Sequence, residues 1–343
     1  MTLHAYPKHA AFAKTVAVLA LLLVAPIASN AQESPPPIGD MSIRNAEVFE
    51  FAQFAEAAVC ALAFTPDSQA VVCGLDDGRV LMLSVEDGSL IRELLAHTHS
   101  VTSVAVSPGG QWIASSSRDG SVHVTDLTDG GETRALQHSA AVHDVEFSPL
   151  GTYLASAGQA RCVRLWEVAT WRERDPIRGH TGTIYALGIS PAEDLIVTGS
   201  GDANDRSIRL WDLQSGEELA SDFYEYRVHD IEYSPRARDR YATISSTSNL
   251  MILWDVDTAA YRHLIAPFGG AVNDAAYSIL GNTLVAVCDD GRFFFTTMPH
   301  WTKKRTIDFD NPLLAVAFSD SRQYIACSDD AGALFLVYIP ADG

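Results

Sequence analysis

Three residues of one stretch have the types and chain order that hydrolytic chemistry uses: His180 as a base, Thr198 as a nucleophile and Asp205 as the acid that orients the base. Asp144, Asp230 and Asp274 return at matching places along the chain, with Ser103 at a fourth, and carboxylate oxygens of this kind suit a hard cation such as calcium. Five cysteines are present, but there is no C-x-x-C, no haem-attachment C-x-x-C-H and no Cys/His spacing for zinc. Cys60 and Cys73 are the candidate disulfide pair, because they would lie near the same end of neighbouring strands. The motifs G-x-S-x-G, H-E-x-x-H, G-x-x-x-x-G-K, the EF-hand loop and N-x-S/T are all absent. No motif therefore names a catalytic residue, metal or cofactor outright, and the meaning of these side chains depends on the elements that hold them.

With 43 acids against 24 bases and a formal net charge of -19, the chain lacks the clustered Lys and Arg that phosphate contacts need, so nucleic acid is not its expected partner. A hydrophobic content of 47% excludes a disordered chain, and five cysteines in 343 residues exclude a small disulfide scaffold. Lys8 and Lys14 lead into an apolar run over residues 15–28, followed by Ser29-Asn30-Ala31, which is the layout of a secretory signal peptide cut after residue 31. The run is interrupted by Pro26 and is shorter than the ~20 residues that span a bilayer. Its removal takes away two lysines and no acid, so the remaining chain is more acidic still. Residues 32–46 read as a Pro-rich linker. Export to a periplasm or the extracellular space is expected, with membrane contact only if the signal is retained.

From residue 47 onward the chain repeats. The segments VCALAFTP, VTSVAVSP, VHDVEFSP, IYALGISP, VHDIEYSP, VNDAAYSI and LLAVAFSD end at Pro66, Pro108, Pro149, Pro191, Pro235, Ile279 and Asp320, here called anchors, spaced by 42, 41, 42, 44, 44 and 41 residues. A period in the low forties is that of a propeller blade of four strands. Within each unit, apolar alternation, a turn, a second strand such as WIASSS or LIVTGS, another turn and a third strand such as SIRLWDL follow in order, and no segment after the signal has sustained helical periodicity.

The dipeptides Trp166-Glu167, Trp211-Asp212 and Trp254-Asp255 on the third strands, with His97, His138 and Gly179-His180 ahead of the first strands, make the chain resemble the WD-repeat β-propeller family over residues 47–340. Leu83, Thr125, Thr296 and Val337 stand where the Trp is missing. The resemblance implies an all-β, seven-bladed propeller closed by its N-terminal strand: Glu47 to Phe54 (EVFEFAQF) completes the last blade by pairing with the strand at residues 333–339 and so removes two exposed sheet edges. It also implies that His180, Thr198, Asp205 and Trp211 form a buried hydrogen-bonded set that holds one blade, with Asp202 as the alternative acid because an insertion blurs the register. On that reading the triad is scaffold. His97 with Asp119 is a partial copy, and blades one, six and seven are expected to rest on apolar packing.

In this family the binding face is made by loops entering the first strand and leaving the second. The residue six before each anchor reads Cys60, Thr102, His143, Tyr185, His229, Asn273 and Leu314 around the ring. Arg227 lies eight before its anchor and Arg118 precedes a turn Asp. The expected partner-binding set is therefore Arg118, His143, Tyr185, Arg227, His229 and Asn273, because aromatic and Arg side chains dominate interface hot spots. The polar residues five before the anchor are expected to hydrogen-bond the bulged strand, with no metal. The function expected is that of a monomeric scaffold for a protein or peptide partner, without catalysis or cofactor. The alternative is a propeller enzyme, a hydrolase or quinoprotein-like, using the central pocket, since fold alone does not decide between them.

Overall fold

The Ser or Thr before each anchor starts the architecture. In a computed structural model, the hydroxyls of Thr65, Ser107, Ser148, Ser190, Ser278 and Ser319 each accept the amide N–H five residues on, at 2.8–3.2 Å, which closes the turn between the first and second strands. The structure describes residues 46–54, 57–128, 131–235, 241–247, 251–258, 260–265, 268–297 and 302–339, all within one compact unit. The expected signal peptide, and the expected linker except Ala46, lie outside the described residues.

The described strands form six sheets of four strands and one of five, every pairing antiparallel. Sheet 1 runs Val59–Phe64, Ala70–Leu75, Val80–Ser84 and Leu90–Glu93, and sheet 2 runs Val101–Val106, Trp112–Ser117, Ser121–Asp126 and Thr133–Gln137. Sheet 3 holds Val142–Phe147, Tyr153–Gly158 and Cys162–Glu167, with two short pieces, Arg172–Glu173 and Ile177–Arg178, both paired to its third strand. Sheet 4 holds Ile184–Ile189, Leu195–Ser200, Ser207–Asp212 and Glu218–Phe223, and sheet 5 holds Val228–Tyr233, Tyr241–Ser246, Met251–Asp255 and Ala260–Ile265. Sheet 6 holds Val272–Tyr277, Thr283–Cys288, Arg292–Thr297 and Thr302–Asp308. Sheet 7 combines Leu313–Phe318, Tyr324–Asp329 and Ala333–Tyr338 with Glu47–Gln53, which pairs from Glu47 opposite Tyr338 to Gln53 opposite Ala333.

First strands of successive sheets pack on one another, and that of sheet 7 packs on that of sheet 1, so the sheets close a ring: the fold is an all-β propeller. The core is correspondingly divided into apolar wedges between neighbouring sheets. Val197, Leu210, Ile231 and Trp254 fill the wedge between sheets 4 and 5, and Phe293, Phe295, Val316 and Val337 that between sheets 6 and 7. Second strands such as YLASAG and LIVTGS are buried along their whole length because both of their faces meet a wedge.

All seven first strands share a defect in their pairing. The register shifts at the second residue, between Val59 and Ala61, Val101 and Ser103, Val142 and Asp144, Ile184 and Ala186, Val228 and Asp230, Val272 and Asp274, and Leu313 and Ala315. Such a bulge leaves one residue out of the ladder and re-aims its side chain. The residues skipped are Cys60, Thr102, His143, Tyr185, His229, Asn273 and Leu314.

The strand Glu47–Gln53 places Val48 on the wedge between sheets 6 and 7, and Phe51 and Ala52 on the wedge between sheets 7 and 1. Deleting residues 47–54 should therefore open both wedges and bare the edge at Ala333–Tyr338. The expected outcome is insoluble protein where the full chain is soluble; a truncated chain that stays soluble and melts cooperatively would refute this role for the strand.

Candidate functional site

The triad-like residues are assembled, but sealed. His180 Nδ1 lies 2.8 Å from Asp205 Oδ2, His180 Nε2 lies 2.7 Å from Thr198 Oγ1, and Trp211 Nε1–H donates to the same Thr198 oxygen at 2.8 Å. Because an ionised carboxylate only accepts, Nδ1 donates to Asp205, and the Thr198 hydroxyl donates to Nε2 while accepting from Trp211. The side chains of His180 and Asp205 are 1% and 3% exposed, so no substrate reaches the Thr198 oxygen. Burial opposes ionisation of Asp205, but donation from Ser207, the Thr181 amide and His180 keeps its carboxyl below its ordinary range. Burial holds His180 below its usual value. Asp202 has a different task, accepting from the Thr183 amide at 2.7 Å.

The position eleven before each anchor shows how far this set is repeated. His97 and His138 place Nε2 2.8 and 2.7 Å from Ser115 and Ser156. Burial pushes both rings down to about 4, so they are neutral at pH 7. Sheet 5 has Tyr224 in place of His, and its hydroxyl donates to Ser246 at 2.7 Å. Sheets 6 and 7 have Phe268 and Phe309, which pack on Phe294 and Phe335 with ring centroids 4.5 and 4.8 Å apart. The apparent loss of the set is thus a replacement of hydrogen bonds by aromatic contacts. In sheet 5 the register that puts Thr198 opposite Leu187 in sheet 4 puts Ile244 opposite Ile231, and the buried Trp254 Nε1 has no hydrogen-bond partner.

The residues expected to bind a partner are bulge residues and their neighbours. His143 and Tyr185 meet with centroids 5.0 Å apart and ring planes tilted, and the Arg227 guanidinium lies over the Tyr185 ring, 4.5 Å from its centroid. Burial and then the charges of Arg118 and Arg227 push His143 down to about 4. His229 is lowered by burial and by Arg227, and bonds to the Val272 carbonyl and Asn273. Asn273 Nδ2 donates to the Leu313 carbonyl at 2.7 Å, as Thr102 Oγ1 does to that of Val142 at 2.9 Å. Arg227 is held by its backbone: the Thr247 amide donates to its carbonyl, and Gly201 lets the chain pass where a Cβ would lie 2.2 Å from the Arg227 Cα. Arg118 is fixed likewise by its amide bond to the Ser100 carbonyl. The structure thus brings Arg118, His143, Tyr185 and Arg227 together, continuing into His229 and Asn273, while Cys60 and Leu314 occupy the same bulge position without polar reach.

Residues 48–82, 88–126, 131–167 and 172–212 each match the family described as "WD40: WD domain, G-beta repeat". The chain belongs to the WD-repeat β-propellers. It is 28% identical over 167 residues to "p21-activated protein kinase-interacting protein 1-like" of Gallus gallus, covering 48% of this chain and 42% of that protein. It is 26% identical over 184 residues to "Serine-threonine kinase receptor-associated protein" of Gallus gallus, covering 53% and 51%, and 26% identical over 256 residues to "Cross-pathway control WD-repeat protein 2" of Flammulina velutipes, covering 59% and 79%. The chain spans about half the length of the first two relatives.

Next to the bulge residues, this WD-repeat propeller carries Asp144, Asp230 and Asp274, whose carboxylates do backbone work. Asp144 accepts from the Val145 amide and, across to sheet 4, from Leu187, both at 2.8 Å. Asp274 accepts from Ala275 and, across to sheet 7, from Val316, both at 2.8 Å. The bridge works because sheets 4 and 7 have Ala186 and Ala315 at this position, which leave the next amide available. Asp230 faces a sheet whose own Asp274 has taken the Ala275 amide, and its Oδ2 is buried without a donor. A hydrogen bond between the Asp230 and Asp274 carboxyls requires a proton on one of the two. Glu146, which accepts from Ile189 at 3.1 Å, and Glu232 follow two residues later on the same strand face. That two-residue alternation was the sequence signal for them. Among the described residues no group of His, Cys, Asp or Glu is arranged to hold a metal. The suspected Cys60–Cys73 disulfide is absent. Cys60 and Cys73 are not joined to each other, Cys73 lying opposite Leu62 in an apolar wedge and Cys60 being displaced by the bulge.

Burial, with repulsion from Asp274, Glu232 and Asp144, pushes Asp230 well up; burial with Asp274 and Asp144 pushes Glu232 to about 8, and burial, against the two amides, pushes Asp274 to about 7. A carboxyl raised on folding stabilises fully below its unfolded value near ~4 and loses that contribution as pH rises through the folded one. Asp230→Asn supplies a donor to Asp274 without a proton, so thermal melts should show the variant gaining on the parent between pH 5 and pH 8; a gap that does not change with pH would refute the protonated Asp230. Thr198→Val leaves His180 Nε2 and Trp211 Nε1 without a partner, and chemical denaturation should show a loss of about 1–3 kcal/mol that Thr198→Ser largely restores.

Proposed function

We propose that this chain is an exported, seven-bladed WD-repeat propeller, closed by its N-terminal strand, that serves as a monomeric, non-catalytic platform for a protein or peptide partner. The partner docks on the mouth of the ring, against Arg118, His143, Tyr185, Arg227, His229 and Asn273. The observation that carries this reading is the contact of Tyr185 with both His143 and Arg227, side chains from sheet 3, sheet 4 and the entry to sheet 5 brought together by bulges and backbone anchors. A surface organised in advance loses little entropy on docking. The seven sheets and the pairing of Glu47–Gln53 with Ala333–Tyr338 support a closed disc. The relatives' printed names, an interacting protein and an associated protein, support a binding role. Export is supported by the signal-like segment of residues 1–31. The burial of Thr198 argues against hydrolysis at the triad-like set.

Affinity capture from the exported fraction should enrich a partner with the parent protein, and the triple variant His143→Ala, Tyr185→Ala, His229→Ala should lose it while melting as the parent does. A partner retained unchanged by that folded variant refutes the site. Sequencing the exported protein from its N-terminus should start at residue 32.

A further inference from the structure

The mouth of the ring contains an unmatched positive charge. Arg79, Arg164, Arg209 and Arg292 each have a carboxylate partner, at Asp77, Glu173, Asp205 and Glu218, and Asp290 and Asp308. Arg118 and Arg227, both exposed, have no ion pair among the described residues, in a chain with 43 acids to 24 bases. Both guanidiniums act on the same imidazole, that of His143.

That imidazole is itself incomplete. At the same bulge position in other sheets, Thr102 and Asn273 donate to the carbonyl of the next sheet and His229 bonds to that of Val272. His143 does not follow them: its Nε2 is buried and has no hydrogen-bond partner. With that nitrogen buried, the groups at this place that can reach a ligand are the two exposed guanidiniums. Tyr185 touches both neighbours, its ring tilted against His143 and the Arg227 guanidinium 4.5 Å from its centroid.

We propose that Arg118, His143 and Arg227 form an anion-recognition site that takes the carboxylate side chains of an acidic peptide segment. The inference rests on the platform reading above and names the chemistry of its ligand. Arg118 comes from the turn after the second strand of sheet 2 and Arg227 from the entry to sheet 5, so the two charges straddle the first strands of sheets 3 and 4. Two cations set apart in this way suit an extended chain with separate carboxylates better than one compact ion. Each guanidinium donates a charge-assisted pair of hydrogen bonds to a carboxylate, with His143 packed behind Tyr185 as part of the floor between them.

The test is fluorescence anisotropy at low ionic strength with a labelled peptide alternating Glu and Gly, its Gln counterpart, and inorganic phosphate as competitor. The Glu peptide is expected to bind at least ~10-fold more tightly than the Gln peptide. Arg118→Ala and Arg227→Ala are each expected to weaken it by about 10-fold, while Arg172→Ala, which removes an equal charge from the outer strand of sheet 3, leaves it unchanged. Equal binding of the Glu and Gln peptides, equal effects of all three arginine variants, or phosphate competing as well as the peptide at equal charge would overturn the inference. If any of these occurs while the triple alanine variant still loses its captured partner, the platform reading stands and only the anionic ligand falls. If that variant keeps its partner, the platform reading falls with it.

Discussion

The bulge at the second residue of every first strand is the constraint on which the rest of the molecule depends. A first strand in perfect register would alternate its side chains between two wedges and present nothing to the mouth of the ring. The extra residue breaks that alternation once per sheet. It turns Thr102, His143, Tyr185, His229 and Asn273 out of the ladder, and it frees an amide just beyond, where the next residue's carboxylate can cap it, as Asp144 does for Val145 and Asp274 for Ala275. Binding surface and inter-sheet bonding thus follow from one distortion. The distortion is affordable because the second strand on one side is buried in full and the wedges fix the sheets from both faces.

Repetition also creates its own conflicts. A carboxylate that bridges to the following sheet needs an unclaimed amide there, so Asp works at this position only when the next repeat has a residue without an acceptor. Asp144 precedes Ala186 and Asp274 precedes Ala315; Asp230 precedes Asp274 and is left with a buried, donorless oxygen. Each carboxylate, taken in its own repeat, obeys the same rule, and the failure arises only between neighbours. The same logic applies to the hydrogen-bonded set: once Ile244 replaces the hydroxyl, the Trp254 N–H has nothing to donate to, although the Trp itself is retained for packing.

Much of this was legible in the sequence because the period, the anchors and the turn residues are local and recur. The anchors mark where first strands end, and the family's binding position, counted six residues back from each, falls on the bulge residues. What counting could not reveal was any relation between repeats. The choice between Asp202 and Asp205 depended on how an insertion folds, and only the geometry shows Asp205 on His180 and Asp202 on Thr183. Tyr224, Phe268 and Phe309 occupy the His position with different chemistry, so a search for identical residues reads them as gaps. The sequence pairs Cys60 and Cys73 only as residues near the same end of neighbouring strands, and the register puts Cys73 opposite Leu62, two residues from Cys60.

The adjacency of bulge residue and carboxylate also limits what the mouth can hold. His143 is followed directly by Asp144, and His229 by Asp230, so each donor at the rim is backed, one residue deeper, by an acid. Burial first, and then mutual repulsion, raises the proton affinity of Asp230 and Glu232, so these acids resist being charged together. An anion is drawn to Arg118 and Arg227, exposed at the rim, and is repelled by whichever of these acids keep a charge. Beyond about 8 Å, screening at physiological salt removes most of both effects. The net charge of the chain then weakly opposes the approach of an acidic ligand, and selection falls to the short-range geometry of two guanidiniums. A ligand that meets both must be extended along the rim, because Arg118 comes from sheet 2 and Arg227 from the entry to sheet 5, with the first strands of sheets 3 and 4 between them.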